Sequence, residues 1–173
     1  MGIWSSRRDG TQDETLEAMA DVEISASRQV VWDLIKPAEN APMFEPQIIK
    51  AFKAEGTPAG VGEVQVFVYN VNGRESISAL EIIDEVTGEY AITRSINNEE
   101  FPPLIGFFLS DTATGTRLEQ RYKFVVPKNQ VWRIRPVMGT YFFSSNAFVQ
   151  RVKVIAESRG GQSSPGLQAW NGM

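Results

Sequence analysis

The sequence predicts a single α+β domain. Three observations carry this: the order of its periodic segments, its length and its composition. A strand-like segment near the start leads into a proline-punctuated helical stretch, then a long run of strand-like segments divided by turn residues, then a helical segment near the end. The 173 residues suit one ordinary core and are too few for two comfortable ones. With 42% apolar and 22% charged residues the chain matches a globular average, which argues against a fibrous or wholly disordered protein.

Residues 1–14 are polar and lack a period, and residues 159–173, rich in Gly, Ser and Pro, read the same way, so two flexible tails flank a folded unit at 15–158. Residues 16–25 form the first strand, with Val22 and Ile24 on one face and Asp21 and Glu23 on the other. Ser27 is a good N-cap for a helix whose apolar stripe is Val30, Val31, Leu34 and Ile35 and which stops at Pro37. A second short helix spans 37–44, before Pro46.

Strands follow at 48–54, 62–71, 74–84, 89–96, 104–111 and 116–126. Asn72-Gly73 lies between two of them and tolerates the positive φ angles of a type I′ turn, so those two strands are antiparallel neighbours. A closing helix at 146–157 is set by the helical spacing of Ala147, Phe148, Val152 and Ile155, with a start a few residues earlier left open. No repeat or heptad pattern interrupts this order.

What is missing narrows the chemistry. A net charge of −4 argues against a nucleic-acid partner, since phosphate binding needs a basic surface. The absence of cysteine removes disulfides and thiolate chemistry and fits a cytoplasmic location. The absence of histidine removes Ser-His-Asp and Cys-His machinery and His-based metal sites, so no metal and no cofactor is expected. No stretch approaches the ~20 apolar residues of a membrane-spanning helix. The start, Met1-Gly2-Ile3-Trp4-Ser5-Ser6, fits the short N-myristoylation pattern, against the simpler reading of a tail.

Three motifs sit on this frame. They are Val22-Glu23-Ile24-Ser25-Ala26-Ser27-Arg28-Gln29-Val30-Val31-Trp32-Asp33-Leu34-Ile35 with Pro37 to Phe44 after it; Gly60-Val61-Gly62-Glu63; and Gly115-Thr116-Arg117-Leu118 with Tyr122 and Phe124. In these the chain resembles the START-like helix-grip superfamily (SRPBCC), in its polyketide cyclase/dehydrase and lipid-transport branch. The resemblance implies a curved seven-stranded antiparallel sheet, two short helices and a C-terminal helix enclosing a cavity for a hydrophobic molecule. Its motifs are caps, turns and core positions, so no catalytic residue carries over. The chain departs from the pattern over 127–143, where Pro127, Pro136, Gly139 and the aromatic run Tyr141-Phe142-Phe143 suggest a closing helix that starts late or is interrupted.

Alternation sorts candidate site residues by face. In the last strand Leu118, Gln120, Tyr122, Phe124 and Val126 share one face, which makes Gln120 and Tyr122 polar tips inside, while Arg117, Glu119, Arg121 and Lys123 form a solvated surface. Tyr90, Ile92, Arg94 and Ile96 share a face, which makes Arg94 either an anchor for a carboxylate or carbonyl or a surface arginine paired with an acid. Glu81, with Ile77, Ala79 and Ile83, is either an internal acid or base or the partner of Arg94 in an internal salt bridge. The catalytic candidates are therefore Arg94, Glu81 and Tyr122, and the ligand-binding candidates are Tyr69, Tyr90, Arg94, Phe101, Gln120 and Tyr122. Tyr69 has apolar neighbours on both faces, and Phe101, beside Pro102-Pro103, is either a rim residue or part of a rigid turn. Trp32 and Phe44 read as core.

Three functions stay in play. The first is a carrier or binding protein for a lipid, polyketide or aromatic metabolite. The second is a polyketide cyclase or dehydratase using positioning and one or two of the named groups. The third is an accessory subunit, with a protein partner or a second copy docked on the aromatic segment 132–143.

Overall fold

The structure, a computed structural model, describes residues 12–160. The first strand, β1 (Asp13–Ile24), is followed by helix α1 (Arg28–Ile35), a 3-10 turn over Ala38–Asn40 and the four-residue helix α2 (Ala41–Phe44). Strands β2 (Ile48–Lys53), β3 (Val64–Val71), β4 (Arg74–Val86), β5 (Tyr90–Ser95), β6 (Leu104–Asp111) and β7 (Thr116–Pro127) come next. Short turns and helix α3 (Val131–Ile134) lead into the long helix α4 (Met138–Gly160). The ordered unit thus opens at Asp13, slightly ahead of the expected boundary, and α4 runs past 158. The remainder of both expected tails, with the acylation pattern at 1–6, lies outside the described residues.

The strands form one seven-stranded sheet in the order β1-β7-β6-β5-β4-β3-β2, every pair antiparallel. Asn72 and Gly73 take φ of 54° and 78°, the two left-handed residues a type I′ turn requires, and Val71 pairs with Arg74 across it. The entry to α1 is built as read: the Ser27 hydroxyl accepts from the Val30 amide at 3.4 Å, and the stripe Val31, Trp32, Leu34 and Ile35 is buried. The helix closes with the Lys36 amide donating to the Trp32 carbonyl, and Pro37 has no N–H to extend the ladder.

The closing helix differs from expectation. It is 23 residues long and begins at Met138, so it is neither late nor interrupted. Pro136 sits in the first positions of a preceding 3-10 turn, where its missing N–H costs nothing, and Gly139 is accommodated in the first helical turn. Its buried positions, Ser145, Phe148, Val149, Val152 and Ala156, recur at helical spacing and lay it against β1, β7 and α1. With Ile24, Val31, Leu34 and Leu118 these side chains form the core at one end of the sheet. Toward the start of α4 an open volume separates part of the helix from the sheet.

The glycine before β7 explains its motif. A Cβ on Gly115 would lie 2.1 Å from the Ile24 carbonyl oxygen and 2.9 Å from the Ala26 amide nitrogen, so only glycine lets β7 start against the end of β1. The adjacent Thr116 hydroxyl donates to the Ala26 carbonyl at 2.8 Å and ties the same junction from inside.

Candidate functional site

Between the concave face of the sheet and α4 lies a cavity with two chambers. The outer one, about 520 Å³, is bounded by the α2–β2 connection (Glu45, Pro46, Gln47), by β7 (Gln120, Tyr122) and by α4 from Thr140 to Arg151. The inner one, about 60 Å³, is walled mostly by apolar side chains, among them Ile35, Phe44, Phe67, Ile105 and Phe107. Glu45, Gln120, Tyr122 and Phe148 line both, so they form the throat.

Sheet register explains which groups point in. Thr93, Ile105 and Tyr122 are cross-strand partners in one row, and Ala91, Phe107 and Gln120 in the next; both rows face α4. On β5 this inward face carries Ala91, Thr93 and Ser95, all small and buried, and Thr93 lines the inner chamber. Phe148 reaches down from α4 to meet Phe44 edge-on and Phe107 in a stack, each at 5.2 Å between ring centres. Tyr141, in the first turns of α4, rests on Tyr122 at 4.9 Å and Phe124 at 5.0 Å.

The throat is polar but weakly charged. Burial pushes the Glu45 carboxyl above its ordinary range, and the Arg151 guanidinium partly offsets this. Burial, followed by the neighbouring Glu45, also drives the Tyr69 and Tyr122 hydroxyls upward. Both phenols are therefore neutral at physiological pH and able to donate as well as accept. Arg151 is held at the mouth, where it donates to the Phe44 carbonyl at 3.1 Å. Gln120 is 2% exposed and its side-chain oxygen has no partner.

A second polar centre lies deeper, under α1. Lys36 reaches Glu63 at 3.1 Å and Glu85 at 3.4 Å, and Gln65 donates to Glu63 at 2.8 Å. Burial opposes the Glu63 charge, but hydrogen bonds from Gln65, Lys36 and Gly60 outweigh it and hold the carboxyl below its usual range. Glu85 faces inward because a bulge between Ile82 and Asp84 shifts the alternation of β4. Here the Gly60-Val61-Gly62-Glu63 motif places an acid for an internal ion pair. It acts as structural glue.

Of the expected site residues, Tyr69, Gln120 and Tyr122 line the cavity. Arg94, Glu81 and Tyr90 do not. Arg94 stands in a row with Glu81, Leu104 and Lys123 on the convex face; its side chain is half exposed and bonds Glu81 at 2.8 Å. For Arg94 the structure shows the surface pairing; for Glu81, expected inside either as an acid or base or in an internal salt bridge, it shows the pairing with Arg94 but on the convex face, with neither group at the throat. Tyr90 stacks on Phe108 and donates to Asp84 on the same outer face. The inward assignment failed on both strands because each carries large apolar residues outward: Ile77 on β4 is 67% exposed, and Ile92 on β5 is buried without facing the cavity. Phe101 packs under the Arg133 guanidinium and is not among the residues that line the two chambers. Trp32 and Phe44 are core, and Phe44 also walls the inner chamber.

Glu45 and Arg151 were missed by sequence reasoning. The available signals were a lone acid between Phe44 and Pro46, and an arginine three residues beyond Phe148 on the apolar side of a helix.

No family model matches the sequence, and no curated protein matches it. Solved structures do match. The di-domain ARO/CYC StfQ from the steffimycin biosynthetic pathway superposes with a TM-score of 0.71 at 11% identity, over 85% of this chain and 52% of that one. The chain thus has the helix-grip fold. Protein SA2116 from Staphylococcus aureus, of unknown function, gives 0.70 at 13% identity over 87% and 99% of the two chains, and ginseng major latex-like protein 151 from Panax ginseng gives 0.60 at 16% over 87% and 99%. This chain spans about half of the di-domain and nearly all of the other two. In this helix grip the closing helix and the α2–β2 connection form the two lips of the cavity. Among the described residues no helix is long and apolar enough to cross a membrane, and no cluster of His, Cys, Asp or Glu could hold a metal ion.

Proposed function

We propose that this chain binds an apolar small molecule with few polar groups, a lipid, polyketide or aromatic metabolite, in the cavity beneath α4. The observation that carries this is an open volume of about 520 Å³ that narrows to an apolar end past a throat with a handful of polar tips, the usual make-up of a small-molecule site. A cavity filled by its own side chains would have favoured an accessory subunit. The similar structures add support, since one is an aromatase/cyclase di-domain from a biosynthetic pathway. A cytoplasmic location belongs to the same reading, on the absence of cysteine.

A second reading, cyclase or dehydratase chemistry, is favoured by one feature. Glu45, Tyr69 and Tyr122 line the same inner chamber, and the Glu45 charge adds to burial in raising both phenols. A carbonyl oxygen accepting from a neutral tyrosine hydroxyl is polarised, and the proton on the adjacent carbon passes to the Glu45 carboxylate, leaving an enolate whose oxygen keeps the tyrosine hydrogen bond.

Native mass spectrometry of the protein purified from its own host tests the binding reading. A co-purifying apolar adduct supports it. An empty chain travelling with a larger assembly overturns it in favour of the accessory role.

A further inference from the structure

The binding reading leaves the ligand's polar chemistry open, and one side chain narrows it. Gln120 is among the most buried polar residues of the chain, faces both chambers, and has neighbours in its row, Ala20 and Phe107, that supply no hydrogen bond to it. A buried amide oxygen with no partner is costly and uncommon, and the side chain that carries it lines both chambers. Beside it stand the Tyr122 and Tyr69 hydroxyls, so the tips at the throat and inner chamber are neutral groups able to accept from a ligand. The inner lining contains no lysine or arginine, and its single charged residue is an acid, Glu45. Arg151 is confined to the outer lip.

We infer that the ligand enters head first with a neutral hydroxyl, phenolic or alcoholic, that donates to the Gln120 side-chain oxygen and accepts from a tyrosine hydroxyl. Carboxylates are excluded from the same position. The inference rests on the binding reading and extends it. An anionic head would lose its hydration, find no cation within the inner chamber and face Glu45. A hydroxyl both donates and accepts, which matches an amide flanked by phenols.

Three probes with a common ring system test this: naphthalene, 2-naphthol and 2-naphthoate, titrated against the wild-type chain and Gln120→Met, which keeps side-chain length and removes the acceptor. Naphthol is expected to bind at least about tenfold tighter than naphthalene or naphthoate to the wild type, the scale of one buried hydrogen bond satisfied rather than broken. Gln120→Met should reduce the naphthol-to-naphthalene preference at least about fivefold, and saturable naphthalene binding by the variant shows that the cavity is still open. Naphthoate binding as tightly as naphthol, or a naphthol preference that survives Gln120→Met, overturns the hydroxyl assignment while the binding reading stands. Failure of all three probes to bind the wild type overturns both.

Discussion

Glu45 sits between Phe44 and Pro46 on the α2–β2 connection and lines the cavity, where burial raises its pKa and the Arg151 guanidinium partly offsets the rise. Its folded pKa lies above the ordinary value of 4.5, so the folded state holds this proton more tightly than the unfolded chain does. Stability therefore falls as pH rises from that ordinary value through the raised one, and the cost is fully present above it. Glu45→Gln removes the cost, and the variant should be more stable than wild type by on the order of 1 kcal/mol near pH 8, with the gain gone near pH 4. Thermal unfolding at the two pH values measures this, and a gain at the acid end alone contradicts it. Lys36 presents the opposite case, since it is the cation between two buried acids, Glu63 and Glu85. Lys36→Met leaves both without it and should cost about 3–5 kcal/mol by urea denaturation.

At the scale of elements, legibility followed the clarity of alternation. Strand β7 places charged residues on one face and Leu118, Phe124 and Val126 on the other, so Gln120 and Tyr122 were assigned inward from the sequence, as the structure has them. Strands β4 and β5 carry apolar residues on both faces, and β4 also contains a bulge, which no period-two reading can register; Arg94 and Glu81 were drawn toward the cavity for that reason. The lip formed by Glu45 and Arg151 joins residues over a hundred positions apart, a pairing that local pattern does not encode. The Gly115 junction belongs to this scale as well. Gly115→Ala drives a Cβ into the backbone of Ile24 and Ala26 and should destabilise the protein by about 1–3 kcal/mol, read as a lower urea midpoint, while the equally small change Gly139→Ala, with open space around it, should not.

For the molecule as a whole, the cavity follows from an imbalance between the two ends of the sheet. Where α4 presents Val149, Val152 and Ala156 to Ile24, Leu34 and Leu118, helix and sheet close into a packed core. Toward the start of α4 the helix presents Thr140, Ser144 and Ala147 across from Gln120 and Tyr122 of β7 and the α2–β2 connection, and the gap remains open. The fold class was readable because strand count, turn chemistry and capping agree with one another. The volume was not, because it depends on which of two faces each strand turns inward.

Filling that gap tests the central claim most directly. Ala147 lines the outer chamber on α4, and Ala147→Trp places an indole in it. Titration with the neutral fluorophore N-phenyl-1-naphthylamine should give saturable binding to wild type and at least about tenfold weaker binding to the variant at an unchanged unfolding midpoint. Equal binding by both proteins, or none by the wild type, would contradict the cavity as the ligand site.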